Sequence, residues 1–274
     1  MSVKLNSGSR RKTLIVVSLV IVAVIVGSLL AYRFLVVDND GTVRVKNASE
    51  LRDAVNKAEV GVPVNIALTN DISLGAALAI PPGADITLKS TGGNDFFKLI
   101  GFNGQNVITV ENGGRLTLDG IIVTHEEGST GLGIGIFYGG TLIMANGEIS
   151  GNLDGRGGGV GIDEGGVFEL YGGKISGNTA TWGGGVYNRG VFKMSGGEIS
   201  DNTAKPAYGY VYSGGYGGGV YLQYGFFTMS GGKISGNTAL QGGGLYGNST
   251  FVERLGGEIF GNTADIGDDV YDAP

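Results

Sequence analysis

The residue types that most often carry enzyme chemistry are scarce in this chain. Its 274 residues include no cysteine and a single histidine, His125. Without cysteine there is no thiolate nucleophile, thiolate metal site or disulfide. One histidine excludes histidine-rich metal centres and leaves little for a histidine-based triad. We therefore predict no metal site, and the remaining candidates are carboxylates, arginines and aromatic rings.

One carboxylate pair, Asp268 and Asp269, follows Gly267 near the end of the sequence. Paired carboxylates can act as acid and base in glycoside hydrolysis. The pair lies in the last unit of a repeat, and a motif without its structural context is weak evidence for catalysis. We interpret these charges mainly as a means of blunting an exposed strand edge.

Aromatic residues are the strongest functional lead. Tyrosines recur at one position of the repeat, at Tyr187, Tyr221, Tyr246 and Tyr271, and an insertion adds more beside the turn that holds Trp182. Exposed rings of this kind stack on sugars or anchor a protein partner. The alternative is a column that packs against itself with a loop folded over it. The predicted ligand-binding residues are Trp182, Tyr187, Tyr208, Tyr210, Tyr212, Tyr216, Tyr221 and Tyr246.

These residues are positioned by a repeat of about 25 residues. One isoleucine recurs at Ile149, Ile175, Ile199, Ile234 and Ile259, and a second apolar position recurs at Val160, Val186, Val220, Leu245 and Val270. Both series contain one long interval, which we assign to an insertion within residues 205–216. Apolar residues alternate over three to five residues and are bounded by glycine pairs, which is typical of short strands.

A unit of this length cannot bury its apolar face alone, but stacking each unit on the last pairs every strand in parallel with its successor. The sequence therefore predicts an all-β protein, a parallel β-helix of about eight coils counted from Val64. Asn47 and Glu50 fit a capping box before an apolar stripe at helical spacing, so we expect a short N-terminal capping helix.

Two polar columns follow from this register. Five asparagines form one column at a turn, where the amides can donate and accept along the stack: Asn152, Asn178, Asn202, Asn237 and Asn262. The residues before the isoleucines alternate in charge, so that vertical neighbours attract: Glu148, Lys174, Glu198, Lys233 and Glu258.

The N-terminal segment is apolar and basic. Residues 13–32 carry no charge, and twenty helical residues span roughly 30 Å, the thickness of a hydrocarbon core. We predict one transmembrane α-helix over residues 13–37, with the membrane contacted through Thr13 to Val37. A cleaved signal peptide is the alternative. Basic residues before the span place the N-terminus in the cytoplasm and the rest outside the cytoplasmic membrane.

The predicted domain organisation is a cytoplasmic tail (1–12), the membrane helix (13–37), a linker (38–46), the capping helix (47–60) and the β-helix (61–274). The first 37 residues carry a charge of +5, which leaves −11 for the remainder of a chain whose net charge is −6. An acidic domain repels phosphate backbones, so nucleic acid is not an expected partner.

The repeat resembles a known family. Gly183-Gly184-Gly185-Val186-Tyr187 and the segment Met229 to Ala239 (Met-Ser-Gly-Gly-Lys-Ile-Ser-Gly-Asn-Thr-Ala) are similar to the repeats of prokaryotic right-handed parallel β-helix proteins, including adhesin-like surface proteins. The resemblance is strong over 141–271 and weaker over 47–140. It implies the pectin-lyase-like fold and right-handed winding.

Some members of that superfamily are polysaccharide lyases or hydrolases, and many repeat-rich members have no assigned activity, so the fold does not choose between them. Lyases of this kind need acidic calcium ligands and a basic residue as general base. The residues that fall in suitable turns of successive coils, and are therefore the catalytic candidates under this alternative, are His125, Glu126, Glu127, Asp154 and Arg156. Charges at turns are more often simply solvated.

We therefore expect a membrane-anchored extracytoplasmic β-helix with a structural, adhesion or glycan-binding role, whose partner is a polysaccharide or a surface protein. The alternative is a membrane-anchored polysaccharide lyase or glycoside hydrolase. No cofactor is expected, except calcium under the lyase alternative. The sequence does not fix the oligomeric state.

Overall fold

The structure is a computed structural model that describes residues 36–93, 95–206 and 214–273. Within these ranges the chain is almost entirely short strands. The elements of the N-terminal part are β1 (Val36–Val37), β2 (Val43–Val45), α1 (Ala48–Asn56), β3 (Pro63–Leu68), β4 (Ile72–Ser73), β5 (Leu78–Ile80), β6 (Asp85–Ser90), β7 (Lys98–Gly101), β8 (Ile108–Val110), β9 (Arg115–His125), β10 (Ile134–Ile136) and β11 (Thr141–Ser150).

The C-terminal part continues the same pattern. Its strands are β12 (Leu153–Arg156), β13 (Val160–Ile162), β14 (Val167–Leu170), β15 (Lys174–Ser176), β16 (Thr179–Trp182), β17 (Val186–Asn188), β18 (Val191–Met194), β19 (Glu198–Ser200), β20 (Thr203–Ala204), β21 (Val220–Leu222), β22 (Phe226–Met229), β23 (Lys233–Ser235), β24 (Thr238–Gln241), β25 (Leu245–Gly247), β26 (Val252–Arg254), β27 (Glu258–Phe260), β28 (Thr263–Ile266) and β29 (Val270–Asp272). A single 3-10 turn, Ser249–Phe251, precedes β26.

The strands form three sheets that run along a parallel β-solenoid of about nine turns. The first sheet has sixteen strands and the main order β1-β2-β3-β6-β9-β11-β14-β18-β22-β26, with β4, β7, β15, β19, β23 and β27 beside this path. The second has the order β5-β8-β10-β13-β17-β21-β25-β29, and the third, confined to the later turns, has the order β12-β16-β20-β24-β28. All named strand pairs are parallel except β1 with β2, which is antiparallel.

The predicted fold class needs correction in two respects. The solenoid has about nine turns instead of about eight, because a coil precedes Val64: β2 already pairs in parallel with β3. Among the described residues, no helix has the length and hydropathy needed to cross a membrane. The last two residues of the predicted span, Val36–Val37, form β1, and residues 13–35 lie outside the described part of the chain.

The predicted register of the repeat is confirmed. Ile149 pairs with Ile175, and the column continues to Ile259, while the valine column runs in the same way from Val160 to Val270. Inside the solenoid, equivalent side chains stack: the Phe168 and Phe192 rings are 4.9 Å apart with planes within 5°. Burying such columns removes apolar area from water along the whole length of the rod.

The asparagine column is a continuous hydrogen-bonded ladder. Each Nδ2 donates to the Oδ1 of the next asparagine at 2.9–3.0 Å, and the backbone N–H of each also donates to that Oδ1. Each of the last four also donates Nδ2 to the carbonyl of an isoleucine one coil earlier, as Asn202 does to Ile175. The amides are therefore buried without being left unsatisfied.

The Gly-Gly-Gly turn is required by this ladder. A Cβ on Gly185 would lie 2.7 Å from the Gly219 carbonyl oxygen and 3.1 Å from Asn202 Nδ2. Successive coils approach so closely here that no side chain fits. The turn that separates the third sheet from the second is consequently built from backbone alone.

The N-terminal end of the solenoid is covered by α1. Asn47 is its N-cap, and its Oδ1 accepts the Glu50 N–H at 3.0 Å, while the Glu50 carboxylate accepts the Lys46 N–H at 3.1 Å. Asn47 Nδ2 also donates to the Glu50 carboxylate at 2.9 Å, so the predicted pair does cap the helix, with the Lys46 N–H in place of the N-cap residue's own N–H of a standard capping box. The helix buries Leu51, among other apolar residues, against the first coil.

Candidate functional site

His125 is fully occupied by structural hydrogen bonds. It is 5% exposed, with Nδ1 2.8 Å from Asn152 Oδ1 and Nε2 2.9 Å from the Gln105 carbonyl oxygen. The ring therefore forms the N-terminal end of the asparagine ladder. Neither nitrogen is directed at solvent, where a substrate would have to be.

The other catalytic candidates lie in turns and on a strand near the surface. Glu126 and Glu127 are exposed in the turn after β9. The Asp154 carboxylate accepts the backbone N–H of Arg156 at 3.0 Å, and the Arg156 guanidinium lies beside an aromatic ring. Within the described ranges, no three acidic, histidine or cysteine side chains are grouped so as to hold a metal ion.

The Asp268–Asp269 pair closes the opposite end of the ladder. Asp269 Oδ1 accepts from both the backbone N–H and the Nδ2 of Asn262, at 3.1 and 2.9 Å. Asp268 Oδ1 accepts the Ala264 N–H at 2.8 Å. The two carboxylates thus satisfy donors of the last coil, in agreement with the edge-blunting interpretation.

The tyrosine column packs against itself, as the alternative interpretation of the sequence expects. Ring centroids are 5.6 Å apart for Tyr187 and Tyr221, 5.2 Å for Tyr221 and Tyr246, and 5.1 Å for Tyr246 and Tyr271. Tyr187 is only 5% exposed. The column is therefore rigid. The ring faces of Tyr187 are buried in it and are not accessible to a ligand.

Burial raises the pKa of several of these phenols. It raises the pKa of Tyr221 to about 12, and it raises the pKa values of Tyr187 and Tyr246 in the same direction. At Tyr187, Arg156 and Arg189 lie near enough to oppose this shift. The phenols are consequently neutral hydrogen-bond donors around neutral pH.

A second column lies on the other side of the glycine turns. Arg156 pairs with Trp182, and Tyr216 forms parallel bridges to Trp182 and to Gln241. The Tyr216 ring also stacks on Tyr246 at 4.9 Å, which joins the two columns. Tyr208, Tyr210 and Tyr212, which complete the predicted aromatic set, lie outside the described residues.

A pocket opens between the two columns. It has a volume of about 160 Å³ and is lined by Arg156, Trp182, Tyr187, Tyr221 and Gln223; we call it the aromatic pocket. Trp182 is partly exposed, and the Arg156 guanidinium carbon lies 6.0 Å from the centre of its ring. Gln223 Oε1 accepts the Tyr187 hydroxyl, which leaves its amide N–H groups as donors toward the pocket.

A second pocket adjoins the first, because Gln223 lines both. It has a volume of about 420 Å³, and its lining includes Glu164, Arg189, Tyr224 and Phe226; we call it the second pocket. Tyr224 and Phe226 are 77% and 57% exposed. The sequence analysis missed these residues. The aromatic character of Tyr224 and Phe226 was visible, but their positions, in the turn after β21 and at the start of β22, depend on a turn length that varies from coil to coil.

The structure therefore brings together three predicted ligand-binding residues, Trp182, Tyr187 and Tyr221, with one of the catalytic candidates, Arg156. Tyr216 and Tyr246 support the wall of this pocket from the adjacent coils. In comparisons with known proteins, no protein-family model matches the chain, and neither curated proteins nor solved structures give a significant match.

Proposed function

We propose that the protein is a carbohydrate-binding β-solenoid, and that the aromatic pocket is its binding site. The observation that carries this proposal is the partly exposed Trp182 ring beside the Gln223 amide and the Arg156 guanidinium. Sugar rings have apolar faces that stack on aromatic rings and hydroxyl groups that bond to planar polar side chains. The pocket offers both kinds of group side by side.

The size and rigidity of the pocket favour a polysaccharide ligand that places one of its sugar units in the pocket. At about 160 Å³ it is smaller than the roughly 300–1,000 Å³ of sites that enclose drug-sized ligands. Its wall is the stacked tyrosine column, whose rings are already packed before any ligand arrives. A preformed wall lowers the entropic cost of binding.

A role without catalysis is the better supported of the two alternatives. The hydrolase alternative would use Asp268 and Asp269, and both accept backbone N–H groups of the last coil. The lyase alternative would use the cluster around His125, whose two ring nitrogens are both bonded within the fold. A general base needs a free position within reach of substrate.

We further propose that the solenoid acts outside the cytoplasm. The support is the sequence of residues 13–32, which is uncharged, apolar and preceded by four basic residues, as in segments that direct export. Protease added to intact cells should digest a tag placed after residue 274. Protection of the tag until the cells are lysed would contradict this location.

The binding proposal is tested by retention of the full chain on a panel of immobilised polysaccharides, with and without calcium. At least one polysaccharide should retain the wild type, and Trp182→Ala should weaken this binding by about tenfold or more, as loss of a central aromatic contact commonly does. Tyr171→Ala is the matched control, because Tyr171 is 56% exposed and lies outside both pockets.

Two results would contradict the proposal: no retention on any polysaccharide, or equal retention of the wild type and Trp182→Ala. Cleavage of a retained polysaccharide that is lost on Glu126→Gln or Asp154→Asn would favour the enzyme alternative instead.

A further inference from the structure

Tyr224 has a backbone conformation that tyrosine rarely adopts. Its φ is +66°, and 77% of the residue is exposed to solvent. Left-handed backbone is unfavourable for residues with a Cβ, most of all for bulky ones. In three earlier coils, the position directly before the last glycine of this turn is Gly113, Gly139 or Gly165, with φ of +72°, +73° and +76°. In the coil directly before, whose turn has two residues, the position is Arg189.

The fold thus holds a large aromatic ring where glycine would be the unstrained choice, and it holds that ring in solvent. Packing does not explain why a tyrosine occupies this position, because an exposed ring buries little apolar area. Strained residues of this kind cluster at ligand sites, where the conformation serves a purpose. The Tyr224 ring lines the second pocket, which Gln223 joins to the aromatic pocket.

Each of the two pockets is lined by one arginine. Arg156 lines one and Arg189 lines the other, and within the described residues neither forms an ion pair. By contrast, Lys174, Lys193 and Lys233 on the first sheet all pair with carboxylates. Residues 207–213, which lie outside the described part of the chain, contain no acidic residue that could neutralise either arginine.

Glu164 is the one carboxylate that lines either pocket, so the combined lining has two positive groups and one negative group. The pockets thus offer an anion two guanidinium groups, with Asp163 also near enough to act on Tyr187, whereas the chain after residue 37 carries −11 in total. An anionic ligand would be repelled by the acidic surface as a whole and attracted to these guanidinium groups. Guanidinium groups bind carboxylate and sulfate oxygens through paired hydrogen bonds.

We propose that the aromatic pocket and the second pocket form one groove that binds an anionic saccharide chain over at least two sugar units. Trp182 and Tyr224 are its two stacking platforms. Arg156 and Arg189 bind the carboxylate or sulfate groups of the ligand. This inference rests on the carbohydrate-binding function proposed above and adds the charge of the ligand and the extent of the site.

The test uses the full chain and three dextrans of equal length: unmodified dextran, carboxymethyl dextran and dextran sulfate. Binding to at least one anionic dextran should exceed binding to unmodified dextran by about tenfold or more at low salt, and it should weaken as sodium chloride is added. The two anionic probes distinguish a carboxylate from a sulfate ligand. Equal binding to all three dextrans would overturn the inference.

Variants locate the effect in the groove. Arg156→Gln with Arg189→Gln should remove most of the preference for anionic dextran, and Glu164→Gln should increase it. Arg254→Gln is the matched control, because Arg254 is exposed in the last coil and forms no ion pair among the described residues. A preference that survives the double substitution, or falls equally in the control, would contradict the assignment.

Tyr224→Gly separates a binding role from a structural one. Glycine suits φ of +66°, so the melting temperature should be unchanged or higher, while binding to the anionic dextran should fall by about fivefold or more. A fall in melting temperature with unchanged binding would show that Tyr224 serves the fold.

The two proposals fail in different ways. If a neutral polysaccharide binds through Trp182 and charge has no effect, the carbohydrate-binding function stands and the anionic groove is wrong. If neither the dextrans nor the polysaccharide panel binds, both are wrong.

Discussion

His125 Nδ1 lies 2.8 Å from Asn152 Oδ1, so the single histidine of the chain begins the ladder of five asparagines. At the other end, the ladder finishes on the carboxylate of Asp269. The amide groups all point the same way, with oxygen toward His125 and nitrogen toward Asp269. Two residues that the sequence marks as possible catalysts therefore serve as the two ends of one buried polar column.

His125→Ala is expected to destabilise the fold. It leaves the buried Asn152 Oδ1 without its partner, and an unsatisfied buried group costs about 1–3 kcal/mol, to which the lost packing of the buried ring adds. For a domain of this size, the melting temperature should fall by about 5 °C or more. Glu126→Ala, next to it and exposed, should leave the melting temperature within about 1–2 °C of the wild type. Equal melting temperatures for both variants would contradict the structural role of His125.

Asn202→Ala removes the middle of the ladder. The Asn202 side chain accepts two hydrogen bonds from Asn178 and donates two, to Ile175 and Asn237. The loss should cost about 2–5 kcal/mol, because several buried partners are left unpaired together. Urea unfolding measures this cost, and Asn39→Ala, at an exposed position, is the control. A cost below about 1 kcal/mol would show that the ladder adds little to stability.

Lys174→Glu tests the alternating charges on the first sheet. Lys174 Nζ lies 3.7 Å from Glu198 and 3.6 Å from Asp201, and Glu148 is its neighbour on the other side. The variant places three carboxylates in one column, which should lower the melting temperature by a few degrees at low salt and by less at high salt. Lys174→Gln removes the attraction without adding repulsion, so its loss should be smaller. An equal loss at both salt concentrations would count against an electrostatic cause.

Tyr221 gives a pH dependence whose sign follows from burial. Its pKa is raised to about 12 from the ordinary value of 10, so the folded state holds the proton more tightly than the unfolded state. The associated stability is fully present below pH 10 and is lost as pH rises through 12. Tyr221→Phe should therefore flatten the fall in unfolding free energy between pH 10 and 11.5, while Tyr138→Phe, at a 68% exposed position, should not. Identical slopes for the wild type and Tyr221→Phe would contradict the buried phenol.

The repeat made most of the fold predictable. Equivalent residues of successive repeats lie next to each other in adjacent coils. Their spacing alone therefore places Ile149 beside Ile175 and aligns the asparagines. The first coil was missed because β2 is three residues long and is followed by a helix, so it carries no repeat motif. The apolar length of residues 13–37 predicted a membrane helix, and Val36–Val37 instead pair as a strand with β2.

The candidate site was predictable only in part. The tyrosine column and Trp182 follow from the repeat, but whether rings face each other or solvent depends on packing distances that a sequence does not contain. Tyr224 was missed because the length of its turn differs from that of the coils before it, and its left-handed backbone cannot be read from residue type. The place of His125 at the end of the ladder was not predicted, because its two partners lie 20 and 27 residues away along the chain.

The central claim is that Trp182 contacts the ligand. Trp182 is the only tryptophan in the chain, so tryptophan fluorescence measures this contact directly. Emission should be recorded while a retained polysaccharide is added, together with quenching by acrylamide. We expect a change in emission that saturates with binding and a fall in acrylamide quenching, as a sugar ring covers the indole. Saturable binding, shown independently by retention, with unchanged emission and unchanged quenching would contradict the proposed site.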